Sequence, residues 1–200
     1  MEDDIRRRIM RIYAAVGEVA TTDTSEFEQE VLQRANGTFR IGINFQGKLS
    51  ADQMANQLFS AIHNIANLKD HLKSWARKRG FQAGAVEAAI DESPDLQLVM
   101  DLANSDKHGP ARDGGRSKLG PSLSNIARGL KLGDEAGNKG TVTVSLSLRG
   151  PSHVATNGPA EFIVNADVVD SAGHRISDVR SILKEAIICW ETLLKRWSGE

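Results

Sequence analysis

Hydrophobic residues recur along this chain with two periods, and the changes of period divide it into elements. Over residues 3–19, Ile5, Ile9, Ile12 and Val16 fall three and four positions apart, on one side of a helix. Asp3 and Asp4 stand in its first turn, where the helix dipole favours negative charge, and Arg6, Arg7, Arg8 and Arg11 cover the other faces. Residues 20–25 form a Thr/Ser/Asp linker. Residues 26–34 admit two readings. Ser25 and Glu28 give a capping-box pattern for a helix stopped by Asn36-Gly37, or Asn36-Gly37 is the turn of a hairpin. Beyond it Phe39, Ile41, Ile43 and Phe45 alternate with polar or small residues, as in a half-buried strand.

Ser50 opens a long helix over 50–79 with an apolar seam from Met54 to Trp75 that includes Leu58, Ile62, Ile65, Leu68 and Leu72. Its end is basic (Lys73, Arg77, Lys78, Arg79) and it stops at Gly80. A short helix follows over 83–91. Ser93-Pro94 starts another over 94–108, with proline where its missing N–H costs little, and Gly109-Pro110 ends it. Residues 109–140 are rich in Gly, Ser and Pro, with turns and one strand near Ser124 to Leu132. Residues 141–148 alternate strictly, and 161–169 alternate again with Phe162, Val164, Ala166 and Val168 on one face. A final amphipathic helix spans 175–197, with Ile176, Val179, Leu183, Ala186, Trp190, Leu193 and Trp197 along one seam. The order predicts an α+β fold. A helical bundle (3–19, 50–79, 94–108 and 175–197) carries a small antiparallel sheet, in one domain over 1–200 with a β insertion at about 110–170.

Composition narrows the class. At 200 residues, 40% hydrophobic and 26% charged, the chain is an ordinary globular one rather than a disordered one. Its net charge of −1 does not by itself announce a nucleic-acid binder. The single cysteine, Cys189, allows neither an internal disulfide nor a cysteine-based zinc site, and its apolar helical setting makes it a core residue. The start, from Met1 to Arg8, has no apolar signal region, and no stretch reaches membrane length. A cytoplasmic protein without a membrane partner is expected.

Candidate chemistry lies in two polar stripes that end in histidine. The first is Asn64, Asn67, Asp70 and His71, and the second is Asp101, Asn104, Ser105 and His108. Polar groups beside an apolar seam cost free energy unless paired, so the stripes are either a satisfied structural layer or a working site. If the two helices pack antiparallel, the stripes meet. His71, His108, Asp70 and Asp101 could then hold a metal, although no Glu-x-x-His pair of the di-metal bundles occurs and no metal or other cofactor is assigned. A histidine there could instead serve as a general acid or base.

Directly after His108 the chain turns basic, with Lys107, Arg112, Arg116 and Lys118 near Gly114-Gly115 and Gly120-Pro121. Such a loop could hold phosphates of RNA or a nucleotide, and its plain alternative is a solvated, mobile loop. Gly115-Arg-Ser-Lys-Leu-Gly120 is not a Walker loop, and neither Gly-x-Ser-x-Gly nor a strand-following Gly-x-Gly-x-x-Gly occurs. His153 and His174 fall in or near turns, without ligand partners at standard spacing.

The run Asp101-Leu-Ala-Asn-Ser-Asp-Lys-His108-Gly109, following Ile65-Ala-Asn-Leu-Lys-Asp-His71-Leu-Lys73, resembles helical-bundle proteins of the HEPN type from prokaryotic defence and toxin systems. The resemblance covers roughly residues 50–110, with the last helix as a fourth bundle member. It implies a metal-independent ribonuclease in which His108 takes the place of the family histidine. Asn104 and His71 are then the other catalytic candidates, and Lys107, Arg112, Arg116 and Lys118 the RNA contacts. The family's Arg stands five or six positions before that histidine, where this chain has Ala103 and Leu102. Three classes therefore stay open. One is a binding or assembly module without a complete catalytic motif, self-associating through the seam of the last helix at Trp190 and Trp197. The others are the HEPN-type ribonuclease or RNA binder and a metal-dependent bundle enzyme.

Overall fold

The computed structural model describes residues 2–17, 20–21, 28–35, 38–44, 49–132, 137–147, 150–158 and 160–199. The linker at 22–27, the Asn36-Gly37 pair and Phe45 lie outside these residues, as do the side chains of Val16, Lys131 and His153. The elements run α1 (Glu2–Gly17), β1 (Ala20–Thr21), β2 (Glu28–Ala35), β3 (Thr38–Asn44), α2 (Ala51–Arg79), α3 (Gly84–Glu92) and α4 (Pro94–His108). They continue with β4 (Ser122–Leu132), β5 (Thr141–Ser147), β6 (Gly150–Asn157), β7 (Ala160–Val169), β8 (Arg175–Asp178) and α5 (Val179–Ser198). The fold is α+β, with helices packed as a bundle and antiparallel strands. It divides into two compact units, one of Met1–Glu18, Ala55–Ile126 and Asn165–Glu200, the other of Val19–Met54 and Ala127–Val164.

The first unit holds the helices. Their start and stop signals work as the sequence implies. Ser50 accepts the Gln53 N–H at 3.1 Å while Gln53 Oε1 accepts the Ser50 N–H at 2.8 Å, a reciprocal capping box at the head of α2. Ser93 Oγ accepts the Leu96 N–H ahead of α4, Pro94 takes the first turn, and Gly109 at φ +81° ends it. The core is the seam of α2 (Leu58, Ile62, Ile65, Leu72) closed by Leu96, Val99 and Leu102 of α4 and by Ile182, Leu183 and Trp190 of α5. Burying such side chains is worth roughly 1.5–3 kcal/mol each, which is what holds helices of only moderate intrinsic propensity. Trp190 is fully buried, and its indole N–H donates to the Ile65 carbonyl at 3.2 Å, so α5 is pinned to α2 by a polar bond inside the apolar seam.

The last helix starts later than its apolar spacing predicts. Residues 175–178 form β8, paired antiparallel with β7 through Asp167↔Asp178, Val168↔Ser177 and Val169↔Arg175. Ile176 therefore lies on a strand. Asp178 caps α5, accepting the Ser181 N–H at 3.0 Å and its hydroxyl at 2.7 Å. The three-residue step from Ile176 to Val179 fits helical spacing by coincidence, and the strand pairing outweighs it.

The strands carry further corrections. Residues 28–35 are a strand, with Ala35 opposite Thr38, so the hairpin reading of this segment is the one realised. Residues 150–157 are also a strand, paired with β5, and His153 stands opposite Ser145 rather than in a turn. The strand order of the largest sheet is β1-β7-β4, with β8 also on β7. Val164, Ala166 and Val168 of β7 are buried, as the alternation requires. Strands occupy parts of 20–44 as well as of 122–178.

Candidate functional site

The two polar stripes do not meet. Asn64, Asn67, Asp70 and His71 all lie on the exposed side of α2. On α4 only Asp101 of the second stripe turns inward, 7% exposed, while Asn104 and His108 face solvent. The histidine that reaches α4 is His63, whose Nε2 lies 2.7 Å from Asp106 Oδ2. A carboxylate only accepts, so Nε2 carries a proton; Nδ1 is buried and has no hydrogen-bond partner among the described residues. His71 lies eight residues further on, about 12 Å along the axis of α2, too far to share a reacting atom with the last turn of α4. Its Nε2 instead stands 3.2 Å from Arg8 Nη1 of α1. A guanidinium only donates, so the lone pair that a general base needs is occupied. The metal set of His71, His108, Asp70 and Asp101 fails for the same reason: three members are exposed and the fourth is buried beneath the loop. Among the described residues no three His, Cys, Asp or Glu side chains converge.

Asp101 holds the loop that follows α4. Its Oδ1 accepts the Arg116 N–H at 2.8 Å, and its Oδ2 accepts the Ser117 N–H at 2.8 Å and the Ser117 hydroxyl at 2.7 Å. Three donors converge on a carboxylate that would otherwise be costly to bury. Gly115 makes the approach possible. It sits at φ +75°, and a Cβ there would overlap the Asp101 carboxylate. Further along, the Leu119 carbonyl accepts the Ser171 N–H at 2.8 Å, tying the loop to the β7–β8 turn. Along 115–119 the backbone of this segment is bonded to α4 and to that turn, while Arg116, Lys118 and Leu119 stay exposed.

The basic side chains of this loop divide into two groups. Arg116 is bound to acids of α3, with Nη2 2.5 Å from Glu87 Oε2 and Nη1 3.2 Å from Asp91 Oδ1. Glu87 also pairs with Lys73 of α2, so one carboxylate joins α2, α3 and the loop. The hydrogen bond from Lys73 is the largest cause that holds the Glu87 carboxyl down to about 2; partial burial opposes it and Arg116 assists. Lys118 pairs with Asp113 at 3.2 Å and keeps that carboxyl below its ordinary value. Arg116 and Lys118 thus each have a carboxylate partner within the chain. Lys107, His108 and Arg112 are exposed and make no hydrogen bond or ion pair among the described residues.

The expected seam of the last helix is also spent within the chain. Trp190 is in the core. Trp197 packs on Trp75 and Phe81, with ring centroids 5.6 and 5.5 Å away. The sequence reading did not find His63–Asp106, the Lys73–Glu87–Arg116–Asp91 chain or this aromatic triad. Their partners lie up to 122 positions apart, and no local spacing signals such pairs.

Comparison with known proteins finds no family model, no curated protein and no solved structure that matches this chain. Among the described residues, no helix is long and apolar enough to cross a membrane.

Proposed function

We propose that this chain is a binding protein without catalytic chemistry of its own. One observation carries the reading: each histidine near the candidate site lacks what a base or nucleophile partner needs. His71 Nε2 is occupied by Arg8, His63 Nδ1 is buried, and His108 stands exposed with no orienting partner among the described residues. Asp101 holds the loop backbone, and Arg116 ties the loop to α3. The test is incubation of the purified chain with single-stranded and with structured RNA, beside its His108→Ala variant. Both RNAs should remain intact with either protein. Cleavage that disappears in His108→Ala would overturn the reading in favour of a HEPN-type ribonuclease using His108.

A second reading, RNA binding without cleavage, is favoured by the trio Lys107, His108 and Arg112 at the end of α4. Lys107 and Arg112, exposed and without an ion-pair partner among the described residues, are placed to meet phosphates, whereas Arg116 and Lys118 already pair with carboxylates. Under this reading a Lys107→Glu, Arg112→Glu double variant loses salt-sensitive RNA binding at unchanged stability. Self-association through α5 would have to use the face that carries exposed Ile188, since Trp190 and Trp197 are engaged within the chain. Sedimentation of the wild type and of Ile188→Glu tests it; a monomer in both removes the proposal.

A further inference from the structure

Asn157 ends β6 opposite Thr141, and Gly158 follows it. Both residues are exposed. Gly158 stands at φ +80°, and a Cβ there would come within 2.7 Å of the Lys139 carbonyl oxygen. A backbone atom cannot turn aside as a flexible side chain can, so this position needs glycine. The dipeptide has a chemical consequence. The backbone nitrogen that follows an asparagine can attack the side-chain amide carbon of that asparagine and close a five-membered ring. A side chain on the attacking residue obstructs the approach, and a hydrogen bond on its N–H holds the nitrogen away. Glycine removes the first obstacle, and the surroundings remove the second. Neither the Gly158 N–H nor the Asn157 side-chain amide makes a hydrogen bond among the described residues. The Asn157 backbone carbonyl accepts the Thr141 hydroxyl at 3.5 Å, which leaves the side-chain amide free to turn. Other asparagines lack this setting. Asn104 precedes Ser105 inside α4, where the next N–H belongs to the helical ladder. Asn165 lies in β7 with its Oδ1 buried, and Ala166 after it is buried too.

We propose that Asn157-Gly158 is a modification site at which the folded chain deamidates without an enzyme. The Gly158 nitrogen gives its proton to solvent base and bonds to Asn157 Cγ. The bond from Cγ to the side-chain nitrogen breaks, and that nitrogen takes a proton from water and leaves as ammonia. Water then opens the succinimide ring at either of its carbonyls. Opening on one side restores the normal backbone with an aspartate at 157. Opening on the other routes the backbone through the former side chain, as isoaspartate. The sum consumes a water and releases an ammonia, with no oxidant and no cofactor. Both products place a new carboxylate opposite Thr141, and isoaspartate also adds a methylene to the backbone at the end of the β5–β6 pair.

The test is peptide mapping of the full chain after incubation at mildly acidic and mildly alkaline pH, both folded and in denaturant. Trypsin releases residues 150–175, which carry Asn157 and Asn165 together. Asn36, also followed by glycine, falls on residues 35–40 and is read separately. Fragment spectra should place the amide-to-acid mass gain at Asn157, as a mixture of aspartate and isoaspartate. The gain should be faster at alkaline pH, because the attack needs the deprotonated nitrogen. Asn165 should keep its amide in the folded chain. The folded rate at Asn157 should lie within about tenfold of the rate in denaturant, since the exposed site needs no opening of the fold. Asn157→Gln should remove the gain from residues 150–175. An Asn157 that stays unconverted in the folded chain, or that is protected by more than about tenfold against denaturant, would overturn the proposal. Equal conversion of Asn157 and Asn165, or a gain that persists on residues 150–175 in Asn157→Gln, would do the same. The mapping of the unaltered chain decides the matter even if the variant fails to fold.

Discussion

Asp101 and Gly115 show how one residue pair decides what a loop can be. In the sequence, Asp101 belongs to a polar stripe with His108, and Gly115 is one of several glycines in a flexible-looking stretch. In the fold the carboxylate replaces the water that two backbone N–H groups and a hydroxyl would otherwise keep, and the glycine leaves room for it. Asp101→Ala should strand those donors and lower stability by about 2–4 kcal/mol, read as a lower urea midpoint. Gly115→Ala should cost about 1–3 kcal/mol through its positive φ and the overlap with Asp101. An unchanged midpoint in both variants would show that the clamp contributes nothing. His108 is the contrasting residue. It is exposed, so His108→Ala should change stability by no more than about 0.5 kcal/mol in the same measurement.

At the scale of elements, the joints are local caps and a short charge network. Ser93 was legible as a cap because Ser-Pro before an apolar run has one mechanical meaning, and the bond to the Leu96 N–H is the one expected. Ser93→Ala should lower stability by about 1 kcal/mol, seen as a reduced thermal midpoint. Glu87 joins α2, α3 and the loop through Lys73 and Arg116. Its carboxyl is held near 2 in the folded chain against an ordinary value of 4.5, so the folded state favours the ionised form. The stability this provides is fully present above about 4.5 and is lost as pH falls from there toward 2. Glu87→Gln should therefore flatten the acid limb of the stability–pH curve in that window, measured by denaturant titration at a series of pH values. A limb of unchanged slope would show that other carboxylates govern acid unfolding. The start of α5 differs from its expected position because the isolated three-residue step from Ile176 to Val179 fits helical spacing, and only pairing with β7 shows that Ile176 lies on a strand.

At the scale of the molecule, α5 is a member of the bundle whose apolar seam packs within the chain. Trp190 fills the seam and bonds the Ile65 carbonyl, so Trp190→Ala should cost about 3–5 kcal/mol, enough to threaten folding at physiological temperature. Trp190→Phe should cost less, because it keeps most of the buried area and loses mainly the one hydrogen bond. Denaturant unfolding of both variants against the wild type checks the order. Equal, small effects would place Trp190 outside the core.

The sequence by itself determined the α+β class, the span of α2, α3 and α4, the alternation of β5 and β7 and the apolar seam of the bundle. These depend on periodicity and caps, which act over a few residues. It also set out the polar residues worth testing, but it could not orient them. A helical spacing of three, four or seven fixes which residues share a face, not whether that face meets a neighbour or water. The tertiary structure decided that Asp101 turns inward and His71 outward, that His63 rather than His71 reaches α4, and that Arg116 pairs with Glu87. It also brought Trp75, Phe81 and Trp197 together. Each of these outcomes joins residues far apart in the chain, where the free energy of burial and pairing across elements, and not local preference, selects the partner.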